Sequence, residues 1–254
     1  AQICVRLDGL PLAIELAAAR IKLLTPQAML KRLEEPLKFL TGGAIDVSAR
    51  QQTLRGTVAW SFDLLNDAER ILFGRLAVFA GGWTLESAEA VCSGDDGAKL
   101  DMFECLGSLA DKSLLRQQPG HDGEPRFLML ETIREFALER LREGEEKVQM
   151  EKRHAEHFLA SAKQGEQELR GPEQLSWAKQ LEIEFDNFRA AMDWAEATGE
   201  VELAMRIGSA LATFWCMRGR SAEGYARMER LVESPLAEAR SVERGTALCM
   251  LVEL

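Results

Sequence analysis

Apolar residues recur every three or four positions along most of the chain, a spacing that predicts α-helices. In residues 1–45, Ile14, Leu16 and Ala17 follow Ile3, Val5 and Leu7. A second stripe, Leu30, Leu33 and Leu37, lies behind Thr25-Pro26, where threonine caps the helix and proline opens it. Gly42-Gly43 breaks the pattern. Leu54, Val58, Phe62 and Leu65 mark the next helix, which stops near Asn66. Asn66 with Glu69 three residues on forms a capping box for a helix through Val78-Phe79, closed by Gly81-Gly82. Thr84 is a cap for a short helix to about Cys92, and a further helix covers about Lys99 to Asp111.

The period then changes. Ser113 to Gln117 and Arg126 to Leu130 read as short extended runs flanking the polar turn Pro119-Gly120-His121-Asp122-Gly123, which predicts a β-hairpin. Helices followed by a hairpin give the order of a winged helix. An acidic turn at Glu143 to Lys147 opens a third region of antiparallel helices: one over 148–169, one or two over 172–197, one over 201–217, one over 222–232 and one after Pro235. Trp177, Leu181, Phe185, Phe188 and Met192, and again Leu203, Ile207, Leu211 and Trp215, are core stripes. The helix-pair period is compatible with the roughly 34-residue tetratricopeptide class. The expected fold is mainly α: a helical subdomain (1–45), a winged helix with a small β-hairpin (46–143), and a tetratricopeptide-like helical-repeat array (144–254).

Composition narrows the chemistry. The chain has 254 residues, 46% apolar and 28% charged, enough for several buried cores. A formal net charge of −10 argues against a strongly basic nucleic-acid surface. The five cysteines, Cys4, Cys92, Cys105, Cys216 and Cys249, lack C-x-x-C spacing and read as buried cytosolic thiols. No run is long and apolar enough to span a membrane, so a cytoplasmic protein without membrane contact is expected. The chain opens without Met on a helix already under way, which reads as an excised piece of a longer protein. No phosphate-loop motif, nucleophile elbow or zinc spacing occurs, so no catalytic and no metal residue is assigned. His154 and His157, three apart beside Glu151, Lys152, Arg153 and Glu156, read as part of a solvated helix face rather than a metal site.

Gly9-Leu10-Pro11-Leu12-Ala13 resembles the Gly-x-Pro motif of the signal-transducing STAND ATPases, the NB-ARC-related class that includes bacterial regulators of the AfsR and LuxR type. The resemblance implies that Gly9, Leu10, Pro11 and Leu12 lie near the adenine of ATP or ADP held by a nucleotide-binding core of the same polypeptide, a core these residues do not contain. No cofactor is expected in the present chain. Met129-Leu130-Glu131 and the helix after it are similar to the Met-His-Asp segment that closes the winged helix of NB-ARC proteins. Leu130 stands at the histidine position, and an aliphatic chain cannot donate to phosphate, so that contact is not carried over to it. Glu184 to Ala191, Phe214-Trp215 and Arg218-Gly219-Arg220 with Glu223-Gly224 look like the first repeats of the superhelical sensor in those regulators. Two readings are open for Trp215, Arg218 and Arg220: a concave face for a protein or small-molecule effector, or core aromatics with arginines complementing a helix C-terminus.

The helix in the recognition position sets Lys99 and Lys112 against Asp101, Glu104 and Asp111, a balance that disfavours DNA contact. The function that the resemblance implies is the regulatory part of an ATP-dependent transcriptional switch, not an enzyme in itself. The alternatives are a DNA-binding winged helix with a helical oligomerisation arm and a free-standing repeat scaffold.

Overall fold

The computed structural model describes residues 2–6, 25–26, 30, 54–93, 101–120, 123–144, 146–237 and 241–253. Gly9, Leu10, Pro11 and Leu12, most of the predicted 1–45 subdomain, and His121 lie outside the described residues. The described elements are mostly helical. They comprise α1 (Gln2–Arg6), α2 (Leu54–Asp63), α3 (Asp67–Arg75), a 3-10 turn (Leu76–Val78), β1 (Trp83–Thr84), α4 (Leu85–Cys92) and α5 (Met102–Asp111). There follow β2 (Arg116–Pro119), β3 (Pro125–Leu128), α6 (Glu131–Glu143), α7 (Lys147–Glu168), α8 (Gln174–Ile183), α9 (Phe185–Thr198), α10 (Val201–Met217), α11 (Ser221–Glu233) and α12 (Val242–Glu253).

From α3 to β3 the order is helix, strand, two helices and a hairpin, and the three strands form a sheet ordered β1-β3-β2. That is a winged helix. The extra strand β1, beside the second hairpin strand, was not anticipated because two residues are too few to set up an alternating pattern. The hairpin strands also begin later than 113 and end earlier than 130. The reason is local: Ser113 takes a left-handed φ of 58°, its N–H donates to Ala110 O, and Leu114 N–H reaches back to Leu109 O. These bonds complete a Schellman cap on α5, so 113–115 ends a helix rather than beginning a strand. At the other end, Leu130 is already the N-cap of α6. The helix expected to run through Val78-Phe79 stops at Arg75 and tightens into the 3-10 turn.

The chain forms two compact units. The first comprises the described residues within 1–77, 92–118 and 127–146. Within it the predicted capping box is present: Asn66 Oδ1 accepts from Glu69 N–H and Glu69 Oε2 from Asn66 N–H, each at 2.9 Å. Glu69 is buried, and its other oxygen accepts from Ser108 Oγ and, at 2.9 Å, from Lys112 Nζ. Burial alone would raise the Glu69 carboxyl, but these hydrogen bonds, with that from Asn66, outweigh it and hold the group below its ordinary value. Phe62, Phe73 and Phe136 join α2, α3 and α6 in one ring cluster with centroids 5.5–6.4 Å apart. Arg75 is buried and donates to both Glu146 oxygens, at 2.7 and 2.8 Å, and to Cys92 O.

The second unit comprises the described residues within 78–91, 119–126 and 147–254. Two pieces of the expected winged-helix span 46–143 thus fold with the helical array. α10 is its central helix, packing on α7, α9, α11 and α12. The residues predicted as core stripes are buried here, Trp177 and Leu203 being partly exposed. Small residues allow close helix approach: a Cβ on Gly224 would lie 2.7 Å from Trp215 Cδ2, and one on Gly165 would lie 2.8 Å from Leu181 Cδ2. The segment expected as one or two helices over 172–197 is two, divided at Glu184.

Of the cysteines, Cys92 and Cys105 are buried but Cys4, Cys216 and Cys249 are exposed, which corrects the expectation of buried thiols throughout. No described helix is long and apolar enough to cross a membrane, and no group of three metal-binding side chains occurs among the described residues.

Candidate functional site

In the first unit, α5 occupies the place of a recognition helix. Asp101 caps it, accepting from Glu104 N–H at 3.1 Å, and Met102, Cys105, Leu106 and Leu109 turn inward. The outward residues are Asp101, Phe103, Glu104, Gly107 and Asp111, with Phe103 70% exposed. Lys112 is engaged with Glu69. The outward face therefore offers two acids of the helix and a bare ring where duplex DNA would need cations.

The segment similar to Met-His-Asp lies in the same unit. Met129 and Leu130 are buried core residues, and Leu130 caps α6 without a side-chain hydrogen bond. Glu131 is exposed and accepts from Arg134 at 2.9 and 3.0 Å.

The second unit holds a polar network that sequence reasoning missed. Arg126, at the start of β3, is 3% exposed. It faces Glu184, itself buried at the break between α8 and α9, with both guanidinium ends directed at the carboxylate. Its Nη2 also donates to Gly82 O at 2.9 Å. Asn187, one turn beyond Glu184 and fully buried, donates from Nδ2 to Gly82 O and to Glu184 Oε2, both at 2.8 Å. Its Oδ1 accepts from Ala80 N–H at 2.7 Å and lies 3.3 Å from His154 Nε2. The turn that presents these backbone groups depends on glycine: Gly81 and Gly82 have φ of 81° and 102°. Removing a charge from water is expensive, and this pair is tolerable because nearly every inward donor and acceptor has a partner.

Around the network, Phe79 stacks on Trp83 at 5.2 Å and meets His154 edge-on at 5.3 Å, while Phe158 packs on His154 at 4.6 Å. His154 is thus a core residue, 2% exposed, which overturns its reading as part of a solvated face. A polar cleft of about 490 Å³ adjoins these groups, lined by Ser87, Arg126, His157, Trp177, Gln180 and Glu184 among others. His157 Nε2 lies 3.2 Å from Ser87 Oγ. Burial lowers the His157 imidazole below its ordinary range, although Glu184 and Glu86 pull it the other way. The signal that could have found the network was an arginine at the head of an apolar strand and a Glu184–Asn187 pair one turn apart among aromatics.

The three residues considered for a sensor face do not share one environment. Trp215 is 1% exposed and packs against Gly224, so it is a core aromatic. Arg220 donates to Glu182 at 2.5 Å and lies over the Phe185 ring at 4.4 Å, and Arg218 reaches the same Glu182 at 3.5 Å.

Residues 65–142 match a family described as the winged helix-turn-helix domain. Over 250 residues the chain is 36% identical to proteins of Mycobacterium bovis and Mycobacterium tuberculosis that are provisionally named HTH-type transcriptional regulators. The match takes in 95% of this chain and 28% of each relative. Over 160 residues it is 39% identical to an uncharacterized protein of Mycobacterium tuberculosis, covering 62% of this chain and 40% of that protein. The chain thus spans just over a quarter of the length of the regulators it matches. No solved structure matches it. The chain carries a winged helix-turn-helix domain, and its similarities support a family of transcription regulators.

Proposed function

We propose that this chain is the coupling region of a transcription regulator, with the winged helix as a packing and signalling module and the helices after it as a tetratricopeptide-like sensor. The observation that carries this reading is the buried network of Arg126, Glu184 and Asn187, which ties the β1 turn and the head of β3 to α8 and α9. A protein or small molecule bound to the array would then bias the winged helix by favouring one of two arrangements.

The finer reading is that the regulator is a cytoplasmic ATP-dependent switch of the STAND class, LuxR-type in organisation. A nucleotide-binding core in the same polypeptide would hold ATP or ADP beside Gly9, Leu10, Pro11 and Leu12. The Gly-x-Pro sequence and the winged helix that follows it support that reading. With Leu130 at the histidine position, the resting state would draw its phosphate contacts from the core. Catalysis, if any, would belong to that core, and this chain would act without enzymatic activity of its own.

The test uses the full-length protein: bound nucleotide after purification, and transcription from a reporter, for the wild type, Pro11→Ala and Glu184→Gln. Loss of retained nucleotide in Pro11→Ala and altered reporter response in Glu184→Gln are expected. Unchanged nucleotide and unchanged response in both variants would overturn the reading.

The domain's description favours a second reading, direct contact with duplex DNA through α5. The acidic outward face of α5 speaks against it, and a titration of the 254-residue chain with duplex DNA at two salt concentrations separates the two.

A further inference from the structure

The polar cleft of about 490 Å³ lies wholly within the second unit, walled by the first turn of α4, the hairpin turn ahead of β3, and facing stripes of α7 and α8. On α7 the stripe is His157, Ser161 and Gln164, and on α8 it is Trp177, Gln180 and Glu184, each recurring every three or four residues. Helices that pack together ordinarily line such a face with apolar side chains. Here Ser161, Gln164 and Gln180 stand in the wall, and their side chains make no hydrogen bond among the described residues.

Charge decides what the cleft admits. Among the described residues that line it, Arg126 is the sole lysine or arginine, and it is spent on Glu184. Burial holds the His157 imidazole below its ordinary range, so it brings no positive charge near neutral pH. Glu86 of α4 and Glu124 of the hairpin turn also line the cleft, and neither carboxylate has a hydrogen bond or ion pair among the described residues. The turn that carries Glu124 is held by Gly120 N–H donating to Glu124 O at 2.8 Å. The unspent charge in the wall is therefore negative, which turns phosphates and carboxylates away and concentrates cations. A metal ion would lack its ligand set, since no group of three metal-binding side chains occurs among the described residues. An ammonium group on a carbon chain fits every wall: its N–H donors suit the two carboxylates and the oxygens of Ser161, Gln164 and Gln180. Its methylenes suit the partly exposed Trp177, whose indole also attracts cations.

We propose that this cleft binds a small aliphatic amine, its ammonium groups taken by Glu86 and Glu124 and its carbon chain by Trp177. The proposal deepens the sensor role and rests on that reading for its biological meaning, though not for its chemistry.

The experiment is calorimetric titration of the 254-residue chain, at physiological ionic strength, with the diamine putrescine and, separately, with uncharged butanediol and with succinate, which have the same number of carbons. The proteins are the wild type, Glu86→Gln, Glu124→Gln and, as a control for general attraction to an acidic chain, Glu229→Gln, an exposed acid of α11 outside the cleft. Saturable putrescine binding is expected, weakened about fivefold in each cleft variant and unchanged in Glu229→Gln, with butanediol and succinate not binding. All three replaced side chains are exposed, so each variant should melt close to the wild type. Absence of saturable putrescine binding, equal affinity in the wild type and both cleft variants, an equal loss in Glu229→Gln, or binding of butanediol or succinate as tight as that of putrescine would overturn the proposal. The titration uses no nucleotide and no promoter, so its failure leaves the reporter test untouched, and failure of the reporter test leaves the cleft's chemistry standing.

Discussion

Arg126 keeps its charge out of water because Glu184 and the carbonyls of Gly82 and Ile183 meet it. Glu184→Gln removes the counter-charge while nearly preserving shape, and denaturant unfolding should register a loss of about 3–5 kcal/mol. The double replacement Arg126→Met with Glu184→Leu should cost less than that single change, since no buried charge is then left alone. Ser113 offers a contrasting case, because it holds the left-handed position that glycine fills most easily. Relief of about 1–2 kcal/mol of backbone strain, offset by about 0.4–1 kcal/mol of added chain entropy, predicts that Ser113→Gly raises stability by roughly half a kcal/mol. Legibility at this scale follows distance along the chain. The Asn66–Glu69 box was readable because its partners are three residues apart, whereas Arg126 and Glu184 are 58 apart and nothing local announces their meeting.

Helix against helix, close approach is set by residues too small to resist it. Gly224 faces the Trp215 ring, a rigid neighbour that cannot swing aside, so Gly224→Ala should lower stability by about 1–3 kcal/mol in thermal unfolding. At Gly208 the facing atom is Met228 Sδ, on a flexible chain, and the same substitution should cost less. Between α4 and α7, His157 faces Ser87, Glu86 and Glu184. Its depressed proton affinity means that the unfolded chain binds the proton more readily than the fold does. The stability it contributes is therefore full above the ordinary imidazole value of about 6.5 and is lost as pH falls from there through its folded value. Melting temperature should drop across that window in the wild type and less in His157→Gln. The helical stripes were readable because period 3.6 survives burial. The two-residue β1 and the true hairpin limits were not, since a helix cap at 113–115 and an N-cap at Leu130 carry the same apolar residues a strand would.

For the molecule as a whole, the sequence boundaries 46–143 and 144–254 follow the order of elements, while the compact units cut across them: 78–91 and 119–126 fold with the helical array. Composition and periodicity carry no trace of that exchange, because it rests on long-range pairs such as Asn187 with Gly82 and Ala80. The claim most central to the coupling role is that these winged-helix segments and α9 open as one body. Native-state hydrogen exchange on the 254-residue chain, wild type against Glu184→Gln, tests it most directly. The account predicts that the amides of Ala80, Gly82 and Arg126 share the opening free energy of α9 and lose protection together with it in the variant. If they instead exchanged with α3 and α5 and ignored the substitution, the coupling account would be contradicted.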